Sequence, residues 1–415
     1  MSTLEAHTSI SYARAMRLNA LLMGLGVISG VVFVSVQTAQ SAQSRVARDI
    51  EELVRIGPRY PGTPGIERAR AYLSAEYRKA GYVIEEQSFT YPRLEDLGSS
   101  LTVGPDRLEA RAMQGSGAGR TSGRVVVVPN FGRTADYAGL DVKGAIALVR
   151  RGETRFGEKV RNAVQAGAAA VGIVNTAPGD LSGAIGEDVS VPVVGLPGSS
   201  GLPLLERAMK DRLEGTLEVN QRRTMVSARN LIARLEEARK PKLIVGGHVD
   251  TVAVSPGAND NGSGTASTLE VARRLAGTPA AKQIWFVGFD GHEEFQQPVL
   301  GSKHFVGTVT RDVLNDLTAM LNLDMIGVGE RLMIGGTPGI VTMARAAAPT
   351  LEVMEDGLSD HTNFQQAGVP GLFFWRGMEP NYHQPTDRVI NPPLLEDNVR
   401  QTLAVIARLL ESDAK

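Results

Sequence analysis

The sequence predicts an α/β protein, a mixed and largely parallel sheet flanked by helices, with a β-rich block inserted into it. Short apolar runs at 242–245, 284–289, 319–323 and 371–375 read as buried strands. Helical periodicity at 265–276 and 393–411 falls among or after them, and strands alternating with helices make a sheet covered on both faces. Between Leu101 and Val219 the texture changes to short β-rich runs (125–128, 145–149, 170–174), many glycines and one amphipathic helix near 159–165. At 415 residues the chain exceeds what one core usually organises. The expected division is therefore a first part of the main domain at 45–98, an insert at 99–224 and the remainder at 225–415.

Residues 1–44 read as an address. Arg14 and Arg17 precede Leu18 to Val36, an apolar run of roughly 19 residues, about a bilayer's span and longer than most signal-peptide cores. Ala39-Gln40-Ser41 offers small residues to a signal peptidase, so a cleaved signal and a retained membrane anchor both stay open. Either way, positive charge on the N-terminal side places the rest of the chain outside the cytoplasm. Val46, Ile50, Leu53 and Val54 then recur at helical spacing until RYPGTPG (59–65) breaks the helix. A second helix over 66–80 leads through Gly81 to the strand-like VIEEQSFTY.

Basic and acidic residues nearly balance, for a net charge of −1, which leaves no electrostatic footprint for nucleic acid. There is no cysteine, which excludes disulfides and thiolate metal sites. Acids and histidines instead gather in five stretches that follow or adjoin apolar strands: GGHVDT (His248, Asp250), GANDNGSG (Asp260), FDGHEEF (Glu293, Glu294), NLDMIG (Asp324) and NYHQPTD (His383). Loops at strand ends on one edge of an α/β sheet converge on a crevice. Singly, most of these stretches are ordinary: Asn, Asp and Gly make turns, and a glutamate pair is usually solvated. Asp324 is less ordinary, because AMLNLDMIGV would bury its carboxylate without a partner. Histidines and carboxylates without sulfur suit zinc or a similar divalent ion.

The ordered set resembles the di-zinc aminopeptidase family that includes secreted bacterial leucine aminopeptidases and glutamate carboxypeptidase. The likeness covers most of 45–95 and 225–415 and includes SDHTNFQQAGVPGLFF (359–374). The insert resembles a protease-associated (PA) domain in KGAIALVRRGETRFGEKVRNAVQAGAAAVGIVN (143–175) and VPVVGLP (191–197). The resemblance implies a zinc exopeptidase fold with two divalent metal ions, zinc, as cofactors. It places His248 and Asp324 on one metal, Glu294 and His383 on the other, and Asp260 between them. It makes Glu293 the general base, Asp250 the carboxylate that orients His248, and Tyr382 a donor to the oxyanion. Asp360 and His361 would support the site wall, whereas His292 and His304 carry no motif role and are read as structural. Peptides with a free N-terminus are the expected substrates. A glutamate carboxypeptidase-like enzyme, a glutaminyl cyclase and a non-catalytic receptor ectodomain remain as alternatives. The first needs a basic cluster, for which Arg376 is a lone candidate. The chain departs from the family pattern at Val249, where many relatives have Tyr, and in FQQPVL, which is slightly longer than usual.

Overall fold

The computed structural model describes residues 45–294 and 299–412. The apolar run 18–36 and residues 295–298 of FQQPVL lie outside the described residues. Helix α1 (Arg45–Ile56) turns Val46, Ile50 and Leu53 inward at the predicted spacing. Helix α2 (Pro64–Lys79) starts on Pro64, whose fixed φ and missing N–H suit a first turn.

Strand β1 (Val83–Asp96) is longer than VIEEQSFTY alone predicts, because it pairs along its whole length with β9 (Gln221–Arg234). This antiparallel ribbon is the neck through which the chain leaves and re-enters the main sheet. Between its two strands lie β2 (Ser99–Val103), β3 (Asp106–Ala112), β4 (Gly119–Val127), β5 (Ile146–Arg150), helix α3 (Phe156–Gln165), β6 (Ala170–Val174), β7 (Val193–Leu196), helix α4 (Gly198–Lys210) and β8 (Leu213–Val219). The seven strands close into a barrel in the order β2-β3-β7-β6-β5-β4-β8, which leaves no open sheet edge. Leu101, Ile146, Leu148, Val194 and Leu217 are fully buried in its core.

Lys159 on α3 is buried against this barrel, its ammonium donating to Phe131 O (2.6 Å), Gly152 O (2.8 Å) and Thr154 Oγ1 (2.7 Å). Lys159→Met removes the donor and leaves its acceptors unpaired. It should lower stability by about 2–3 kcal/mol, read as a lower urea midpoint for loss of barrel structure.

The main sheet is completed by β10 (Leu243–His248), α5 (Gly264–Leu275), β11 (Ile284–Phe289), α6 (Leu300–Thr308), α7 (Arg311–Asp316), β12 (Ala319–Leu323), β13 (Met333–Gly336), α8 (Pro338–Ala347), β14 (Glu352–Val353), α9 (His361–Gln366), β15 (Gly371–Trp375) and α10 (Pro392–Ser412). Its order is β1-β9-β11-β10-β12-β15-β13-β14. The central strands β11, β10, β12 and β15 run parallel, and antiparallel pairing enters at β9 and β13. Alternate residues point to opposite faces, as strand geometry requires. Leu243, Val245, Phe286 and Leu321 pack with α1, α2, α5, α8 and α10, while Ile244, Trp285, Val287 and Met320 pack with α6, α7 and α9. Burying one such side chain contributes roughly 1.5–3 kcal/mol. His248, Asp290 and Asp324 therefore emerge side by side where the parallel strands end.

Candidate active site

The loop after His248 is polar in sequence, yet residues 255–264 are buried. Its order comes from side chains that replace missing backbone partners. Arg59, fully buried, donates to the carbonyls of Val249 (2.8 Å), Pro256 (2.5 Å) and Gly257 (3.0 Å). Gly257 takes a left-handed φ of 59°, and a side chain there would strike the Asp260 carbonyl at 2.3 Å. The Asp387 carboxylate accepts from the amides of Asn259 (2.8 Å) and Asp260 (3.0 Å), and burial pushes it up to about 6. Asn261 ties the loop to β12 through Leu323 O (2.9 Å) and caps α5 at Gly264 N (2.9 Å). The Asp260–Asn261 peptide is cis. ANDNGSG is thus a stitched segment rather than a free turn. Arg59 and Asp387 carry no role that sequence alone assigns, although they lie in RYPGTPG and NYHQPTD.

The loop delivers Asp260 between two imidazoles. Asp260 Oδ1 lies 3.3 Å from His248 Nε2, and Oδ2 lies 3.3 Å from His383 Nε2. Asp324 Oδ1 is 3.4 Å from His248 Nε2, and Glu293 Oε2 is 3.0 Å from His383 Nε2. His248 Nε2 and Asp324 Oδ1 are buried and make no hydrogen bond, so donor atoms converge with nothing shared between them. Burial pulls Asp260 up, but His248 and His383 overcome it and hold the carboxylate well below its usual range. Burial opposes a proton on His383, yet Asp260 and Glu293 raise it to about 9. Burial, reinforced by Asp260, lifts Glu293 above the usual carboxylate range. His248, Asp260 and Glu293 offer ligand atoms within 4.8 Å of one another, as do His248, His292 and Asp324. Unpaired nitrogen and oxygen donors with no sulfur fit a divalent ion such as zinc.

The two glutamates take different surroundings. After β11 the chain turns at Gly291, φ 73°, and the neighbouring side chains then leave on opposite sides. Glu293 faces His383. The Glu294 carboxylate is turned away and accepts from Tyr91 Oη (2.7 Å), Arg93 Nε (2.9 Å), Arg93 Nη2 (2.6 Å) and Tyr60 Oη (3.4 Å). Arg93 lies over the Tyr60 ring, 4.1 Å from its centroid. The sequence reading puts Glu294 on one metal with His383; in the structure an arginine and two tyrosines from the neck and the 59–65 loop hold its carboxylate.

Asp250 also departs from its predicted contact. His248 Nδ1 is bonded to the Asp250 backbone carbonyl (3.0 Å), while the carboxylate is 3.8 Å from that nitrogen. The carboxylate instead accepts from the amides of His292 (3.2 Å) and Glu293 (2.8 Å), and burial pushes it up to about 6. Asp324 is steadied by Ser359 Oγ (2.8 Å). Tyr382 stacks on His383 with centroids 3.8 Å apart, and burial keeps its phenol protonated well above the usual range. His292, read from sequence as structural, stacks on His248 (3.8 Å) and pairs through Nδ1 with Asp360 Oδ2 (3.0 Å). His361 stands one layer behind, bonded to Asp356 Oδ1 (2.9 Å) with its ring over Phe373.

A cleft of about 210 Å³ opens onto the cluster, lined by the polar Asp260, His292, Glu293, Asp324 and Tyr382 and by the apolar Met354, Leu358, Phe373, Trp375 and Met378. A larger hollow of about 700 Å³ lies on the inserted domain beside Arg151–Arg161 and Ala184–Glu187 and contains none of these groups. The chemistry lies in the smaller one.

The comparisons with known proteins give the family. Peptidase family M28 matches residues 230–408, and the PA domain matches residues 121–204. Aminopeptidase YwaD of Bacillus subtilis (strain 168) is 33% identical over 365 residues, spanning 80% of this chain and 77% of that protein. The chain belongs to peptidase family M28. Two solved structures resemble this M28 peptidase along most of its length. The aminopeptidase from Aneurinibacillus sp. strain AM-1 superposes with a TM-score of 0.74 at 28% identity, covering 88% of this chain and 94% of its own. BSAP, a zinc aminopeptidase from Bacillus subtilis, does so with a TM-score of 0.72 at 29% identity and the same coverage. Among the described residues of this M28 chain, no helix is long and apolar enough to cross a membrane.

Proposed function

We propose that this M28 peptidase is a zinc aminopeptidase that removes N-terminal residues from peptides outside the cytoplasm. The observation that carries the reading is Asp260, poised between His248 and His383 with Asp324 and Glu293 beside them. His248, Asp260 and Asp324 would hold one zinc, and Asp260, Glu293 and His383 the other. When bound, the two ions supply Lewis acidity, polarising the scissile carbonyl and acidifying water. Asp250 fixes the backbone of His292 and Glu293, so both side chains enter the cleft from a rigid base. Tyr382, kept protonated by burial, is placed to donate to the developing oxyanion. The apolar part of the lining accepts the side chain of the residue to be released.

The cleft lining favours an amine over a carboxylate. Glu355 is the acid of its lining with no metal role, and among the described residues no lysine or arginine lines it. Arg376, the lone basic candidate for gripping a C-terminal carboxylate, is buried and engaged by Asn398 Oδ1 (3.0 and 2.8 Å) and Glu330 O (3.2 Å). An ammonium group suits such a cleft and a second carboxylate does not. The extracytoplasmic location, and with it membrane association through residues 18–36 if that run is retained, rest on the sequence pattern of residues 14–41.

The purified protein should release residues one at a time from free-amine peptides, leave N-acetylated peptides intact and lose activity to a chelator. Equal cleavage of acetylated peptides would rule out N-terminal selectivity, and release from the C-terminus would favour a carboxypeptidase.

A further inference from the structure

We propose that His292, oriented by Asp360, takes the proton from the attacking water, the role that sequence motif alone assigns to Glu293. This rests on the aminopeptidase reading above. Neither member of the glutamate pair is free to act as the base. Glu293 lies 3.0 Å from His383 Nε2 within the metal-binding cluster, and Glu294 is bound to Arg93 and Tyr91 outside it. His292 lines the cleft beside Asp260 and Asp324. Its Nδ1 is 3.0 Å from Oδ2 of Asp360, a fully buried carboxylate. That contact engages Nδ1 and leaves Nε2 as the nitrogen available to a water in the cleft. The ring is pinned from two further directions, by stacking on His248 at 3.8 Å and by the hydrogen bond from the His292 amide to Asp250. A nitrogen base held by a buried carboxylate is the arrangement general-base catalysis uses.

In the step this assigns, water gives one proton to His292 Nε2 as its oxygen bonds to the scissile carbonyl carbon. When the C–N bond breaks, the same proton passes to the leaving nitrogen. The imidazole returns to its neutral form, and one water is consumed per peptide bond. His292 is then a catalytic residue and Asp360 a positioning one.

Zinc content and steady-state kinetics of the full chain separate this role from its rivals. His292→Gln should keep the zinc content of the wild type, lower kcat by roughly 100-fold or more and leave KM within a few-fold. His292→Glu should recover part of the lost rate. Asp360→Asn should lower kcat by a smaller factor in the wild type and have no further effect in the His292→Glu background, because it acts through the imidazole. Zinc lost from His292→Gln would make His292 a ligand and overturn the assignment. So would an unchanged kcat, or loss of activity in Glu355→Gln, the other acid on the cleft rim, with His292→Gln still active. A wild-type chain that binds zinc but cleaves no free-amine peptide would instead overturn the aminopeptidase reading itself, before any variant is made.

Discussion

Asp260→Asn is expected to strip the protein of most of its zinc and to cut peptide hydrolysis by more than 100-fold. Substitutions around a metal ligand already cost about 10–100-fold in affinity or activity, and Asp260 stands closer, with one oxygen facing each histidine. Asparagine keeps the shape but replaces one carboxylate oxygen with a donor. That donor would face either His248 or His383 and cannot accept a cation. The fold around it should survive, because the loop is held by Asp387 on its amides and by Arg59 on its carbonyls, not by the Asp260 side chain. Elemental analysis, kcat and the circular dichroism of the folded state therefore give a clean reading. A variant that keeps full zinc content would show that Asp260 does not join the two halves of the site.

What was legible in the sequence follows from how strongly local chemistry constrains each part. The runs that became β10 and β12 are apolar except for His248 and Asn322 and are buried at every position, so their identity as central strands needs little tertiary information. β13 and β14 are four and two residues long, too short to carry a periodicity. His248, Asp260, Asp324 and His383 share one feature that sequence can register, polar side chains at or beside the ends of apolar strands. The Glu293–Glu294 pair shares that feature after β11, but two identical neighbours carry no record of which side each takes. That choice was made at a distance, by Arg93 and Tyr91 on the neck and by Tyr60. Arg59 escaped for a related reason: arginine is rarely buried, and only the carbonyls it gathers from the 249–257 loop reveal why it is here. His292 lay in plain view within FDGHEEF, but its pairing with Asp360 joins segments 68 residues apart.

The glutamate pair provides the second large effect, and the structure reverses what motif order alone would expect. Glu293→Gln should weaken the zinc position shared with His383, so that bound zinc falls, activity drops with it and excess zinc restores part of the rate. Glu294→Gln should leave zinc content unchanged and damage stability instead. Its carboxylate is 2% exposed and neutralises Arg93, itself 12% exposed, while also accepting from Tyr91. Removing one partner of a buried ion pair leaves the other charge without compensation, at a cost of about 3 kcal/mol or more. The loss should be visible as a lower urea midpoint with zinc present. Because the Arg93 and Tyr91 contacts join the neck ribbon to the loop after β11, the damage should also loosen the base on which Glu293 and His292 stand, giving Glu294→Gln a modest fall in kcat that excess zinc does not repair. Response to added zinc therefore distinguishes the two positions even if both variants lose activity. Zinc lost from Glu294→Gln and retained in Glu293→Gln would restore the motif order and remove the ground for assigning the proton to His292.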